Sequence, residues 1–202
     1  MAWTKRLGIG AGVALGAAAI AGTAYAQYRD GNEEPSYRVV LSDGDFELRD
    51  YAPMIVAEIM HEGDRREASS RSFRRLAAYI FAKDRPAGGE KIAMTSPVLQ
   101  EETSGDRWRM RFVMPSSYTM ASLPPPPSDI KLTELPARRL AALRFSGNGS
   151  PEDLARMEAR LVAKLAAQGL TLRGDPEYAF YDAPMVPGPL RRNEVLLEVE
   201  AQ

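Results

Sequence analysis

The sequence predicts an α+β domain made of two copies of a strand–strand–helix–strand unit. Short stretches of alternating polar and apolar residues, such as Arg107–Val113, are typical of half-buried antiparallel strands. Two longer stretches carry apolar residues at helical spacing. A shift of 84 residues lays the first of these stretches on the second and aligns the strands before them without a gap. A repeat of this length indicates two halves of one design rather than a solenoid.

The composition is that of a globular protein without cysteine chemistry. The 202 residues are 45% hydrophobic and 26% charged with a net charge of -1, and no basic stripe with interleaved aromatic residues occurs, so we expect no nucleic-acid partner. The absence of Cys excludes disulfides and thiolate metal sites. Since His61 is the one histidine and no Gly-x-Ser-x-Gly motif is present, a His-rich zinc site is excluded and a Ser-His-Asp triad has no support.

The N-terminus has the layout of a secretory signal. Lys5 and Arg6 precede an apolar run, and Ala24 and Ala26 flank Tyr25 as a small-x-small cleavage motif. We therefore predict a signal peptide over residues 1–26 and a periplasmic or exported protein. The alternative is that the segment is retained as an inner-membrane anchor, and the membrane is a partner only in that case.

The rest of the chain is expected to be a flexible polar leader over residues 27–36 and one domain over residues 37–202. Three strands with a turn at Asp43-Gly44 open the domain. These strands are Tyr37–Leu41, Phe46–Arg49 and Met54–His61.

A helix follows, with Asp64 as its N-cap and Glu67 as a capping-box partner. Its apolar stripe is predicted to be Phe73, Leu76, Ala77 and Ile80. Beyond it, Lys91–Val98 is predicted to be a short strand ended by Pro97. In the strand Arg107–Val113 the apolar side chains are expected to face inward, and Arg107, Arg109 and Arg111 outward.

The second half begins after Pro124–Pro127, a stiff polyproline connector. Its helix is predicted from Ser150 as N-cap to Gly169 as C-cap, with Pro151 in the first turn. The helix buries Leu154, Met157, Leu161 and Leu165. Two strands are expected near the C-terminus, over Tyr178–Asp182 and Glu194–Glu200.

Four segments resemble motifs of the SOUL/heme-binding protein family. They are Lys91–Val98, Asp45–Tyr51, the helical residues from Arg65 to Ile80, and the C-terminal run Tyr181–Pro184 with Arg192–Val195. The resemblance extends from about Tyr37 to Val199. It implies a distorted antiparallel β-barrel of two pseudo-twofold-related halves, flanked by two α-helices. It also implies non-covalent binding of heme or another tetrapyrrole in a shallow hydrophobic cleft beside the first helix.

Heme binding requires an apolar slot, cations for two propionates and, in some sites, an axial ligand. Arg71 and Arg75, four residues apart on one helical face, are candidates for the propionates, with Lys91 as a third cation; the alternative is a solvated basic face. Tyr79 is either a ring contact or a core-edge aromatic. Met185 stands where the family commonly has an aromatic residue, so a stacking contact is in doubt, although a thioether can pack on a porphyrin.

His61 is the one imidazole available to an iron, and it is a candidate axial ligand. The alternative is a strand-end histidine that contacts Glu62 or solvent. Met60 and Met185 are further candidates for the ligand.

Three functions are compatible with these residues. The first is a heme or tetrapyrrole carrier, buffer or sensor. The second is an effector-binding barrel whose small-molecule ligand is not heme. The third, a tetrapyrrole-modifying enzyme, lacks a recognisable acid–base pair in the sequence, so we assign no catalytic residue.

Overall fold

The structure is a computed structural model that describes residues 31–84, 89–103 and 106–200. The chain divides into two units, residues 1–33 and residues 34–202. The predicted signal peptide and the start of the predicted leader lie outside the described residues. In the part of the chain that is described, no helix has the length and apolarity needed to cross a membrane.

The described part of the second unit contains nine strands, two long helices and one short 3-10 turn. The strands are β1 Tyr37–Asp43, β2 Phe46–Tyr51, β3 Met54–Glu62, β4 Val98–Thr103, β5 Arg107–Val113, β6 Lys131–Leu135, β7 Arg138–Phe145, β8 Leu172–Phe180 and β9 Asn193–Val199. The helices are α1 Arg65–Ile80 and α2 Pro151–Ala167, and the 3-10 turn is Gly188–Leu190.

The end of the predicted leader is held against this unit. The carboxylate of Glu34 accepts hydrogen bonds from Arg192 at 3.0 Å. The carbonyl of Ser36 accepts one from the amide of Ala52 at 3.2 Å. The ordered contacts therefore begin before Tyr37, where the sequence pattern placed the start of the domain.

The nine strands form one antiparallel sheet in the order β1-β2-β7-β9-β8-β4-β5-β3-β6. Exchanging β2 with β6, β3 with β7, β4 with β8 and β5 with β9 reverses the order of these eight strands. The two halves are thus arranged symmetrically about the β8–β4 pair, and β1 is an additional edge strand. The 84-residue repeat itself stays a prediction from the sequence.

The sheet curls, so both of its faces bury apolar side chains, and the predicted α+β architecture is confirmed. On the outer face α1 packs on β3 and β5, and α2 packs on β7, β8 and β9. On the inner face one buried cluster joins side chains from seven strands: Tyr51, Val56, Leu99, Val113, Leu140, Ala142, Ala179 and Leu196. Strands as distant in the sheet order as β2 and β3 share this cluster, which requires the sheet to bend round on itself.

Both helices begin where the capping signals predict. The side chain of Asp64 accepts hydrogen bonds from the amides of Arg66 and Glu67 at 2.9 and 3.3 Å. Ser150 caps α2 by accepting from the amide of Asp153 at 3.2 Å, with Pro151 as the first helical residue. These bonds satisfy amides that the first turn of a helix leaves without partners.

Two local predictions were wrong. The stretch Lys91–Met94 is irregular, and regular pairing begins at Val98, because the amide of Ile92 bonds to the carbonyl of Ile80 instead of to a strand. The arginines of β5 do not all face solvent: Arg111 is buried on the inner face, where it pairs with Glu58 and Glu177 at 3.1 and 2.7 Å. Curling of the sheet encloses a face that an open sheet would leave in water.

Candidate functional site

On the outer face of the sheet, α1 has an exposed aromatic side chain next to the buried core beneath the helix. Phe73 is 41% exposed, and its ring contacts that of Phe112 edge to face, with centroids 5.3 Å apart at 64°. The apolar stripe of α1 is therefore only partly as predicted, since Leu76 and Ile80 are buried but Phe73 lies at its edge. An exposed ring over a buried ring offers a flat apolar contact.

Apolar side chains from the neighbouring segments continue this surface. Ala77, Met94 and Val98 are partly buried and pack on the same core cluster that contains Phe112. Val98 lies directly across from Phe112 in the β4–β5 pairing. We call the surface formed by Phe73, Ala77, Met94 and Val98 above Phe112 the α1 cleft.

Toward the N-terminus of α1, polar contacts join the helix to the sheet and to the loop before α2. Arg65 donates to the amide oxygen of Gln100 at 3.3 Å and to the carbonyl of Gly149 at 2.5 Å. Ser69 donates to the same amide oxygen at 3.0 Å. Because residues 65, 69 and 73 lie on one side of the helix, these bonds fix that side of α1 against β4.

Exposed cations flank the cleft, and they are not all the predicted ones. Arg66, seven residues before Phe73, lies on the same side of α1, and Arg74 follows Phe73 directly. Lys91 lies at the C-terminal end of α1, next to Ile92. All three side chains are exposed, and none forms an ion pair among the described residues.

The two arginines predicted to bind propionates are already engaged. Arg75 pairs with Asp129 at 2.6 Å and with Asp84. Arg71 donates to the carbonyl of Glu62 at 2.6 Å. Their contacts lie on the side of α1 away from Phe73. The two arginines do share one helical face, as their spacing predicts, but that face does not border the cleft.

His61 lies on this other side of α1. Its Nδ1 is 2.8 Å from the hydroxyl of Ser72, and the charges of Arg71 and Asp129 both act on the ring. Partial burial and the positive charge of Arg71 lower its pKa, while Asp129 opposes the shift. The imidazole is neutral at pH 7 as a result, but it belongs to a polar cluster that the cleft does not include.

The other predicted ligands are also outside the cleft. Tyr79 is buried at 1% exposure and donates to the carbonyl of Pro124 at 2.7 Å, so it is a core residue. Met185 is 84% exposed in the loop before the 3-10 turn. Met60 alternates with Ile59 and His61 along β3, which places it on the opposite face of the sheet from α1.

Beside its apolar cluster, the inner face of the sheet holds buried charged groups that neutralise one another. Glu194 has no exposed side-chain area and accepts from Arg49 at 2.6 Å, from Tyr181 at 2.9 Å and from Arg192 at 3.1 Å. Burial tends to raise the pKa of Glu194, but the hydrogen bonds and charges of the two arginines outweigh it and hold the pKa below its usual range. This carboxylate is thus ionised and fully engaged, which makes it a structural group.

A pocket on this inner face is small. It encloses about 240 Å³ of empty space, a volume that includes open solvent, between residues such as Tyr51, Leu99, Arg138 and Leu196. Typical ligand pockets start at roughly 300 Å³. This pocket is therefore smaller than a typical ligand site, and the α1 cleft is the candidate site.

The chain matches the model of the SOUL heme-binding proteins over residues 32–198. It belongs to the SOUL heme-binding protein family. No curated protein matches the chain at a significant level. The family assignment agrees with the resemblance of the four sequence motifs and with the curled sheet flanked by two helices.

Solved structures with the same fold share little sequence with this chain. A hydrolase from Listeria innocua aligns with a TM-score of 0.55 and 12% identity over 80% of this chain and 94% of that chain. The C-terminal domain of EcmrR aligns with a TM-score of 0.60 and 11% identity over 82% of this chain and 99% of that chain. At these identities the likeness supports the fold alone.

The residues of the α1 cleft fit the chemistry of a tetrapyrrole. A porphyrin is a flat apolar ring with acidic side chains, which suits an exposed phenyl ring flanked by unpaired cations. The sequence pattern did not predict that Phe73 is exposed, because helical spacing assigned it to the core. Arg66 and Arg74 were not predicted as binding cations, because periodicity does not indicate which arginines form ion pairs with carboxylates in the folded protein.

Proposed function

We propose that the protein binds heme or another tetrapyrrole in the α1 cleft, as a carrier, buffer or sensor. The supporting observation is the exposure of Phe73. Its side chain is 41% exposed, and the partly buried apolar side chains near it pack on a buried core cluster. A contiguous exposed apolar surface rimmed by polar groups is typical of binding sites.

The cations around the cleft provide partners for the acidic side chains of the ligand and so orient it. Arg74 is the cation nearest to Phe73 in the chain, and Lys91 and Arg66 lie toward the two ends of α1. Guanidinium and ammonium groups without carboxylate partners bind carboxylates at low cost, since no existing ion pair has to break. We assign the acidic side chains of the ligand to these cations instead of to Arg71 and Arg75.

These side chains support the binding of a ligand rather than catalysis. The groups that border the cleft are apolar or basic, so they position a ligand, and we assign no general base among them. Heme, when bound, supplies the capacity to change oxidation state and to take up small ligands.

Titration with hemin, followed by absorbance in the Soret region, tests the proposal. Wild type should give a saturable Soret change, and Phe73→Ser should weaken binding clearly because it removes the flat contact. Val162→Ser is the matched control, since Val162 is a 36%-exposed apolar residue on α2. A wild-type protein without a Soret change, or equal affinity in both variants, would contradict the proposal.

A charge reversal tests the part assigned to the cations. Arg74→Glu should weaken hemin binding, whereas Arg160→Glu, an exposed arginine on α2, should leave it unchanged. The difference should shrink at high salt because exposed charges are screened. Equal effects of both reversals would point to net charge and not to the cleft.

We propose, from the N-terminal sequence alone, that the protein works outside the cytoplasm after cleavage following Ala26. Intact-mass measurement of the protein from its native host tests this. A mass that includes residues 1–26 would favour the anchored form.

A further inference from the structure

The α1 cleft contains one atom able to coordinate iron. Of its five side chains, Phe73, Ala77, Val98 and Phe112 consist of hydrocarbon, and Met94 carries a thioether sulfur. Met94 packs on the core cluster beneath α1 and is only partly buried. A methionine sulfur is an established axial ligand of heme iron in proteins.

The three other ligands that the sequence suggested lie away from the cleft. His61 is bonded to Ser72 on the far side of α1, and Met60 is on the opposite face of the sheet. Met185 projects from the loop before the 3-10 turn.

Two further methionines lie close to the cleft but are covered. Met110 and Met114 are 3% and 4% exposed within the core cluster, so a ligand reaches neither of them without opening the core. Met94 differs from both because the irregular stretch Lys91–Met94 runs at the surface between α1 and β4.

The backbone around Met94 is fixed at both ends. On one side the amide of Ile92 donates to the carbonyl of Ile80 at 2.8 Å. On the other side the hydroxyl of Thr95 donates to the carbonyl of Val113 at 2.6 Å. A ligand atom on a chain segment tied to a helix and to a strand loses little conformational entropy on binding.

We propose that Met94 is the axial ligand that this chain offers to the iron of a heme bound in the α1 cleft. The proposal rests on the binding function proposed above. It gives the Lys91–Val98 motif a chemical role in addition to its structural one: Ile92 and Thr95 anchor the segment, and Met94 would supply its sulfur.

A neutral thioether stabilises the ferrous state more than the ferric state, so the effect should be largest after reduction. The Soret and visible bands of reduced wild type should therefore differ from those of the reduced Met94→Leu variant. Met94→Leu conserves volume and should fold normally, keep a Soret change on hemin addition and show the bands of a heme without a thioether ligand. Met94→His should give the spectrum of a five-coordinate, imidazole-bound ferrous heme.

Three matched variants serve as controls: Met60→Leu, Met185→Leu and His61→Ala. Each should leave the spectra of the ferric and ferrous forms as in wild type. The proposal is overturned if Met94→Leu has wild-type spectra in both oxidation states, or if His61→Ala changes the reduced spectrum in the way expected for Met94→Leu. A wild-type protein that binds hemin with an unchanged Met94→Leu spectrum leaves the binding function intact and removes only Met94. A wild type without hemin binding overturns both.

Discussion

Replacing Glu194 by Gln should be among the most damaging single changes to the fold. The carboxylate has no exposed area and accepts four hydrogen bonds, two of them from Arg49 at 2.6 and 3.1 Å. The others come from Tyr181 at 2.9 Å and from Arg192 at 3.1 Å. An amide keeps one acceptor oxygen and turns an NH2 group toward a guanidinium, so a buried cation loses its partner.

Breaking a buried ion pair from one side costs about 3–5 kcal/mol. For a domain of this size each kcal/mol lowers the melting temperature by roughly 2–4 °C, which gives a decrease of roughly 6–20 °C. Urea unfolding followed by circular dichroism at neutral pH measures the free energy, and calorimetry measures the melting temperature.

Glu47→Gln is the matched control because Glu47 binds the same Arg49 at 2.7 Å but is 29% exposed. A partly exposed partner of this kind contributes about 0–1 kcal/mol. If Glu194→Gln loses no more unfolding free energy than Glu47→Gln, the buried ion pair does not stabilise the fold to the extent that its burial implies. A double variant, Arg49→Met with Glu194→Leu, should cost less than the sum of its single changes because neither Arg49 nor Glu194 is left without the other as a buried charge.

Three further predictions concern stability. Leu161→Arg puts a charge at a site with 0% exposure and should cost several kcal/mol in urea unfolding, whereas Arg74→Ala, on the exposed side of α1, should lie within about 0.5 kcal/mol of wild type. Gly149→Ala should lower the melting temperature, because Gly149 has a φ of +64° and an added Cβ would lie 2.7 Å from the ring of Phe180; an unchanged melting temperature would contradict this. Since the folded-state pKa of Glu194 is below its unfolded value, its contribution is present above the unfolded pKa and lost as the pH falls through the folded pKa. Urea midpoints measured from about pH 7 to about pH 3 should therefore fall more steeply in wild type than in Glu194→Gln.

Local patterns in the sequence were sufficient for the helices and for most strands. Hydrogen bonds of the helix caps at Asp64 and Ser150 join residues two or three apart in the chain, so they depend on local sequence alone. Alternation along Arg107–Val113 likewise predicted β5 with the observed bounds. The family resemblance extended these patterns to the curled sheet and the two flanking helices.

Lys91–Val98 shows the limit of local patterns. Its alternating side chains are as expected for a strand, but Ile92 bonds to the end of α1 and pairing starts only at Val98. A strand needs a partner at the right distance, and the sequence does not say where that partner lies.

Local sequence patterns specify whether most segments form a helix or a strand, and the order of the motifs specifies the family. Only the fold determines which cations form ion pairs. Arg75 meets Asp129, which lies 54 residues further along the chain in the turn before β6, whereas Arg74 meets no carboxylate among the described residues. The fold also determines that Arg111 is buried and that Phe73 is exposed. Helical and strand periodicity specify the side of an element on which a residue lies, and the packing of distant segments determines whether that side meets water, charge or a ligand.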